Sequence, residues 1–163
     1  MIRDAAEADL PAILAIFNHA VEHTTAVWFL QPVSLDNRLA WLRERQAQGF
    51  PVLVAEQMGV IAGFASYGDF RAYDGYAGTV EHSVYVAETA RGLGLGRALL
   101  DALIVRATVA GLHVMIGGIA ADNAVSIALH AKAGFVEAGV LRQVGRKFDR
   151  WLDLVFMQKI LNP

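Results

Sequence analysis

The sequence contains no cysteine. This absence excludes disulfide bonds, zinc sites built from thiolates and a thiol nucleophile. Basic residues are also sparse, with 14 Lys and Arg against 16 Asp and Glu and a formal net charge of -2. Because the basic side chains form no run, the chain lacks the electrostatic footprint of a protein that binds nucleic acid or an anionic membrane. A small-molecule partner is therefore favoured.

Long apolar runs are missing too. No stretch approaches the roughly 20 apolar residues that a membrane-spanning helix requires, and residues 1–4 lack the basic start of a secretion signal. We therefore expect a cytoplasmic protein that does not insert into a membrane. Three of the histidines, His19, His23 and His113, show no metal-ligand spacing, so we expect no metal site.

What the chain does have is a high apolar content, 55% of its 163 residues, which is enough to build the core of one domain over 1–163. Apolar residues at helical spacing, with a cap at Ser34 and a terminating glycine at Gly111, predict helices. Alternating or continuous apolar runs predict strands. The predicted helices cover about 10–21, 34–49, 94–110 and 123–133, and the predicted strands 51–56, 60–67, 79–86, 113–120, 136–144 and 151–158. This order is typical of a mixed α/β fold.

A glycine-rich turn, residues 91–96, follows the predicted strand 79–86 and opens the next helix. Glycines let the backbone approach a phosphate closely, and free N–H groups and the helix dipole favour an anion there. A strand-to-helix turn without a ligand is the alternative. The turn lacks the Gly-Lys-Ser/Thr of nucleotide triphosphatases, and Arg97 and Leu99 stand where a dinucleotide fingerprint needs its third glycine. Both nucleotide interpretations are therefore weak.

The spacing of Arg91, Gly94 and Gly96 forms R-x-x-G-x-G, and here the chain resembles the GNAT superfamily of N-acetyltransferases. Members of that superfamily use this motif to hold the pyrophosphate of acetyl-CoA. Residues 123–135 match a second pattern of the same family, N-x-x-[SA]-x-x-L-[YFH]-x-x-x-G-[FY]. The resemblance implies the GNAT fold, a central mixed, mostly antiparallel sheet flanked by about four helices, and acetyl-CoA as co-substrate.

The resemblance also implies a set of cofactor contacts, contributed by the end of the strand before the glycine turn, the turn itself and the start of the second pattern. Asn123 can equally be the N-cap of a helix. The expected cofactor-binding residues are Val84, Tyr85, Val86, Arg91, Gly92, Leu93, Gly94, Leu95, Gly96, Arg97, Asn123 and Ser126.

Within the superfamily, residues 79–86 and 145–153 look like the phosphinothricin and methionine sulfoximine acetyltransferases, and the resemblance covers nearly the whole chain. Those enzymes acetylate the α-amino group of small amino-acid analogues and are commonly homodimers. Loop 68–76 corresponds to their substrate loop. The expected acceptor-binding residues are Arg71, Ala72, Tyr73, Glu81, His82, Ser83, Arg142 and Lys147, of which the three cations could pair with a substrate carboxylate.

Acetyl transfer needs a neutral amine, whereas α-amino groups are mostly protonated at pH 7, so a nearby base is useful. Glu81 is the candidate base, with a surface or salt-bridged carboxylate as its alternative. Strand alternation places His82 on the opposite face. His130 stands where many family members have tyrosine, and it is the candidate acid for the departing thiolate; packing or orientation of the substrate is the other interpretation. Backbone N–H groups of residues 84–86 could stabilise an oxyanion.

Two other functions remain open. A peptide or protein N-acetyltransferase would use the same cofactor chemistry on a larger acceptor. A non-catalytic acyl-CoA sensor would keep the glycine turn but would not need Glu81 and His130 beside it.

Overall fold

The computed structural model describes all 163 residues as one seven-stranded sheet with helices on both faces. The strand order is β1-β2-β3-β4-β5-β7-β6, and only the β4–β5 pair is parallel. The predicted mixed, mostly antiparallel sheet with about four helices is confirmed. The strands are β1 (Ile2–Asp4), β2 (Val52–Gln57), β3 (Val60–Asp69), β4 (Thr79–Val86), β5 (Val114–Ala120), β6 (Val136–Lys147) and β7 (Arg150–Ile160), and the helices are α1 (Leu10–His23), α2 (Leu35–Ala47), α3 (Leu95–Val109) and α4 (Ala124–Lys132).

Local signals explain where the helices begin and end. Pro11 lies in the first turn of α1, where its missing N–H is not needed. Ser34 caps α2, because its side chain accepts a hydrogen bond of 3.1 Å from the Asn37 amide. Gly134 follows α4 with a φ of 89°, a left-handed conformation that ends the helix. Strand β1 was not predicted, because three residues are too few to show an alternating pattern.

The two faces of the sheet carry separate apolar clusters. Helices α1 and α2 cover one face, where Phe17 and Leu42 pack with Phe64 of β3. Helix α3 covers the other face, where Leu99 and Leu103 pack with Met115 of β5. None of the helices combines the length and the apolarity needed to cross a membrane.

Strand β4 contributes to both clusters, because its side chains alternate between the faces. Val80 and Val84 belong to the α3 side, and Tyr85 belongs to the α1–α2 side. By the same alternation His82 points toward the α3 side, while Glu81 points toward α1 and α2. The contacts of His82 agree with this separation, because its ring lies 5.4 Å from that of Phe135, a member of the α3-side cluster.

The parallel pair β4–β5 separates halfway along its length. Pairing runs only from Thr79–Val114 to His82–Gly117. Beyond that point β4 stays on β3 as far as Val86, and β5 stays on β7 as far as Ala120. Residues 83–86 and 118–120 therefore face one another without a strand between them, and this gap creates the site described next.

Candidate active site

The gap between β4 and β5 opens into a cleft of about 1290 Å³. The ends of both strands, the glycine-rich turn, the first turns of α3 and α4, and part of α1 with the loop after it form its walls. Eleven of the twelve residues expected to bind the cofactor line this cleft: Val84, Tyr85, Val86, Arg91, Gly92, Gly94, Leu95, Gly96, Arg97, Asn123 and Ser126. Leu93, the remaining one, does not line the cleft and is 57% exposed.

The glycine-rich turn has the conformation that an anion site needs. Gly92 and Gly94 both have a φ of 78°, and Gly94 is the N-cap of α3 without a capping side chain. The first amides of α3 therefore have no partner within the helix and carry the positive end of its dipole. At Gly96 a side chain would lie 3.3 Å from Leu129 Cδ1, so this glycine also lets α3 pack against α4. These residues fit a pyrophosphate group.

Two polar residues of the cleft already have protein partners. Asn123 Oδ1 accepts a hydrogen bond of 3.1 Å from the Ser126 amide, so Asn123 is the N-cap of α4. Arg97 Nε donates to Asp101 at 2.8 Å, and its Nη1 donates to the Lys132 carbonyl. Arg97 therefore lies along the protein surface at the edge of the cleft.

Glu81 is the carboxylate that β4 presents to the cleft. Burial raises its pKa above the usual value, and the positive charge of Arg71 opposes that shift. A side chain at position 118 would lie 3.1 Å from Glu81 Oε1, so Gly118 on β5 leaves room for the carboxyl group. A carboxylate with a raised pKa beside an open cleft can accept a proton near neutral pH.

His82 and His130 form a buried pair on the other face of β4. His82 Nδ1 donates to the Ile116 carbonyl at 2.9 Å, and His130 Nδ1 lies 2.7 Å from the Ser126 carbonyl and 3.4 Å from the Ser126 hydroxyl. Their Nε2 atoms lie 2.8 Å apart. This contact is a hydrogen bond when one ring carries its hydrogen on Nε2. His130 can do so while neutral, because the Ser126 hydroxyl can donate to its Nδ1.

Burial lowers the pKa of both rings, so both are mainly neutral near pH 7, and His82 is the harder of the two to protonate. Burial, reinforced by the neighbouring His130, lowers the pKa of His82 to about 3, so His82 stays neutral and accepts. Burial also lowers the pKa of His130, while its contact with the Ser126 carbonyl opposes that shift. Two protonated rings are excluded, because both would be buried cations at contact distance. His82 was expected to contact the acceptor; it lines the cleft and its Nε2 lies against that of His130.

The other residues expected at the acceptor end lie outside the cleft lining. Arg71, Ala72 and Tyr73 are exposed on the loop after β3, and Arg142 is exposed on β6. Lys147 is 4% exposed, and its Nζ donates to the carbonyls of Thr24 and Val27 at 2.7 Å each. The expectation that Lys147 meets a substrate carboxylate is corrected, because its ammonium group holds the loop after α1.

Several residues of the cleft were not singled out from the sequence. Arg150 Nη2 donates to Asp122 at 2.6 Å, and Thr25 donates to the same carboxylate at 3.1 Å. These two hydrogen bonds join three segments that are distant in sequence, so no local sequence pattern predicts them. His19 and His23 also line the cleft. They lie four residues apart on one face of α1, but the predicted helix 10–21 ended before His23, so the sequence did not pair them.

We predict that His82→Leu makes stability less dependent on pH. A neutral buried histidine binds fewer protons than the unfolded chain below pH about 6.5, so it removes up to about 1.4 kcal/mol of stability per pH unit as the pH falls toward 3. Urea unfolding at several pH values measures the slope. The exposed His23→Leu is the control, and equal slopes in the two variants would contradict the assignment.

Comparison with known proteins agrees with this geometry. The model of the acetyltransferase (GNAT) family matches residues 13–135. The L-methionine sulfoximine/L-methionine sulfone acetyltransferase of Pseudomonas paraeruginosa is 57% identical over 163 residues, covering 99% of this chain and 95% of the relative. The phosphinothricin N-acetyltransferase of Alcaligenes faecalis is 41% identical, covering 99% and 82%.

The backbone of this chain is also similar to that of a solved structure. The yncA protein of Salmonella typhimurium, solved with its cofactor acetyl-CoA, superposes with a TM-score of 0.98 at 53% identity, covering 100% of this chain and 94% of that one. The glycine-rich turn lies where β4 and β5 separate. Together with these matches, it shows that the chain belongs to the acetyltransferase (GNAT) family.

Proposed function

We propose that the protein transfers an acetyl group from acetyl-CoA to the α-amino group of small amino-acid analogues such as L-methionine sulfoximine, L-methionine sulfone and phosphinothricin. The observation that carries the proposal is a single cleft that joins the glycine-rich turn to a half-buried carboxylate with a raised pKa, Glu81. The names of the relatives support the class of acceptor.

The first part of the site binds and orients the cofactor. Acetyl-CoA supplies an activated thioester when it is bound. The amides of residues 92–96 would hold its pyrophosphate, and Asn123 and Ser126 at the start of α4 would lie along the pantetheine. The free backbone edge of residues 84–86 provides N–H donors for a developing oxyanion, because β5 has already left β4 there.

The second part of the site moves protons. Glu81 accepts a proton from the substrate ammonium group, because burial raises the pKa of its carboxyl toward the working range of a base. His130, which lines the same cleft, is the proposed proton donor to the leaving sulfur, and its lowered pKa makes the protonated ring a stronger acid than a free imidazolium. The two roles are kept apart, since Glu81 and His82 point to opposite faces of β4.

The third part of the site receives the acceptor. Ser83 lines the cleft two residues after Glu81. Arg71 is near enough for its charge to act on the pKa of Glu81, which makes it the proposed partner of the acceptor carboxylate. Ala72 and Tyr73 lie beside it on the same exposed loop and would close over the acceptor when it binds.

We further propose that the protein works in the cytoplasm as a homodimer. Strand β6 forms one edge of the sheet and exposes a series of aliphatic side chains, which supports an interface there. They are Val136, Val140, Leu141 and Val144, which are 61%, 41%, 45% and 51% exposed.

Release of free thiol from acetyl-CoA tests the proposed function. L-methionine sulfone and phosphinothricin should each give steady thiol release, and a peptide with an N-terminal alanine should give little. Preference for the peptide would instead support a peptide N-acetyltransferase. Tight acetyl-CoA binding without thiol release for any amine would support a sensor and contradict the enzyme.

For Glu81→Gln we predict a fall in kcat of about 10²-fold or more, because a general base of this kind contributes that much. The dissociation constant of acetyl-CoA should change little, since Glu81 lies at the acceptor end. Initial rates and calorimetric titration measure the two quantities. Turnover close to that of the unchanged protein would remove Glu81 from the proton transfer.

Gly94→Val should abolish acetyl-CoA binding, because valine is strained at a φ of 78° and its side chain blocks approach to the first amides of α3. Calorimetric titration with acetyl-CoA gives the affinity, and circular dichroism checks that the variant is folded. Gly139→Val is the matched control, since Gly139 has no positive φ and open space around it. Normal affinity in a folded Gly94→Val protein is the opposing result.

A further inference from the structure

A second, smaller cavity lies under α2, on the same side of the sheet as Glu81. Its volume is about 230 Å³, and its walls include the aromatic rings of Phe17, Phe29 and Trp41. Ser83 and Tyr85 of β4 line both this cavity and the main cleft, so the two spaces share a wall next to the proposed base.

Arg38 is the buried cation of this cavity. It is 7% exposed, yet no carboxylate forms a salt bridge with it. Its Nε and Nη2 donate only to the neutral Asn37 Oδ1, at 3.1 and 2.9 Å. Its guanidinium carbon lies 4.3 Å from the ring centre of Phe17 and 4.8 Å from that of Trp41. Burial lowers the pKa of Arg38, because nothing anionic compensates its lost hydration.

Arg45 places a second cation in the same cavity. Its Nε is buried and has no hydrogen-bond partner, which is unusual because buried polar groups are normally satisfied. Its guanidinium lies over Gly68, where any side chain would collide with it. Gly68 is the cross-strand partner of Glu81, so Arg45 reaches the sheet beside the base. Its charge also contributes to the lowered pKa of Arg38.

We propose that this arginine pocket, formed by Arg38 and Arg45 with the rings of Phe17, Phe29, Trp41 and Tyr85, binds the oxygen-bearing head of the acceptor side chain. The inference rests on the proposed function, because it places the acceptor's α-amino group at Glu81. The occupant is a tetrahedral sulfur or phosphorus centre with two oxygens or an oxygen and a nitrogen, as in a sulfone, a sulfoximine or a phosphinate.

The chemistry of the pocket matches both halves of such a side chain. Guanidinium groups donate to two oxygens at once, and a phosphinate would also neutralise two cations that lack an anion. The aromatic walls suit the methylene groups and the terminal methyl of the acceptor, because binding there removes their apolar surface from water. Methionine has the same chain without oxygens, so it would leave the arginine donors unpaired in the pocket, at a cost in affinity.

The test compares kcat/KM for L-methionine sulfone with that for L-methionine. The unchanged protein should prefer the sulfone, and Arg38→Met should reduce the ratio of the two values by about tenfold or more, because a hydrogen bond to a charged group is lost from a buried site. Arg45→Met should reduce it as well. Arg43→Met on the same helix is the matched control, since Arg43 is exposed and pairs with Glu7.

Equal decreases in kcat/KM for the two acceptors would leave their ratio unchanged. This result would indicate that the arginines hold the common α-carboxylate, and it would overturn the proposal. Because Arg38 is buried and its methionine variant could fail to fold, Arg45→Met decides the question in that case. Calorimetric titration of both acceptors into protein loaded with CoA tests the pocket separately from the acetyltransferase function. Selective sulfone binding without turnover would contradict the acetyltransferase function and still support the pocket, whereas equal binding of both acceptors would refute the pocket.

Discussion

The structure depends on the point at which β4 and β5 stop pairing. A parallel pair normally continues its hydrogen bonds along both strands, but here they end at His82 and Gly117. The strands can part because each keeps its other neighbour, β3 for β4 and β7 for β5. The free energy lost at the two unpaired backbone edges is offset by the hydrogen bonds that β4 keeps with β3 and β5 keeps with β7. Those edges are what a thioester group would meet.

Alternation along β4 then divides the chemistry between two faces. The face toward α3 is apolar, and it buries the histidine pair and lowers the pKa of both rings. The face toward α1 and α2 carries Glu81 and leads to the arginine pocket. Both faces contain ionisable groups that are buried with few charged partners, and such groups are costly for stability. Concentrating them around one gap in the sheet is consistent with a site built for charged substrates rather than for a maximally stable core.

Much of this architecture could be predicted from the sequence. Hydrophobic periodicity located every α-helix and all strands except β1, and the Gly94–Gly96 spacing predicted an anion site at the start of α3. Pairings between distant segments could not be read in this way. The contact of Lys147 with the carbonyls of Thr24 and Val27 and the approach of His82 to His130 follow from tertiary packing. Lys147 was predicted to bind the substrate because the sequence shows a cation near the site but does not show which groups it contacts.

The most direct test of the central claim is a crystal structure of the protein with CoA and L-methionine sulfone bound together. The account predicts the pyrophosphate at the amides of residues 92–96, the thiol between the parted ends of β4 and β5, and the acceptor's amino group at Glu81. A cofactor bound elsewhere, or a β4–β5 pair that closes along its full length in the complex, would contradict it.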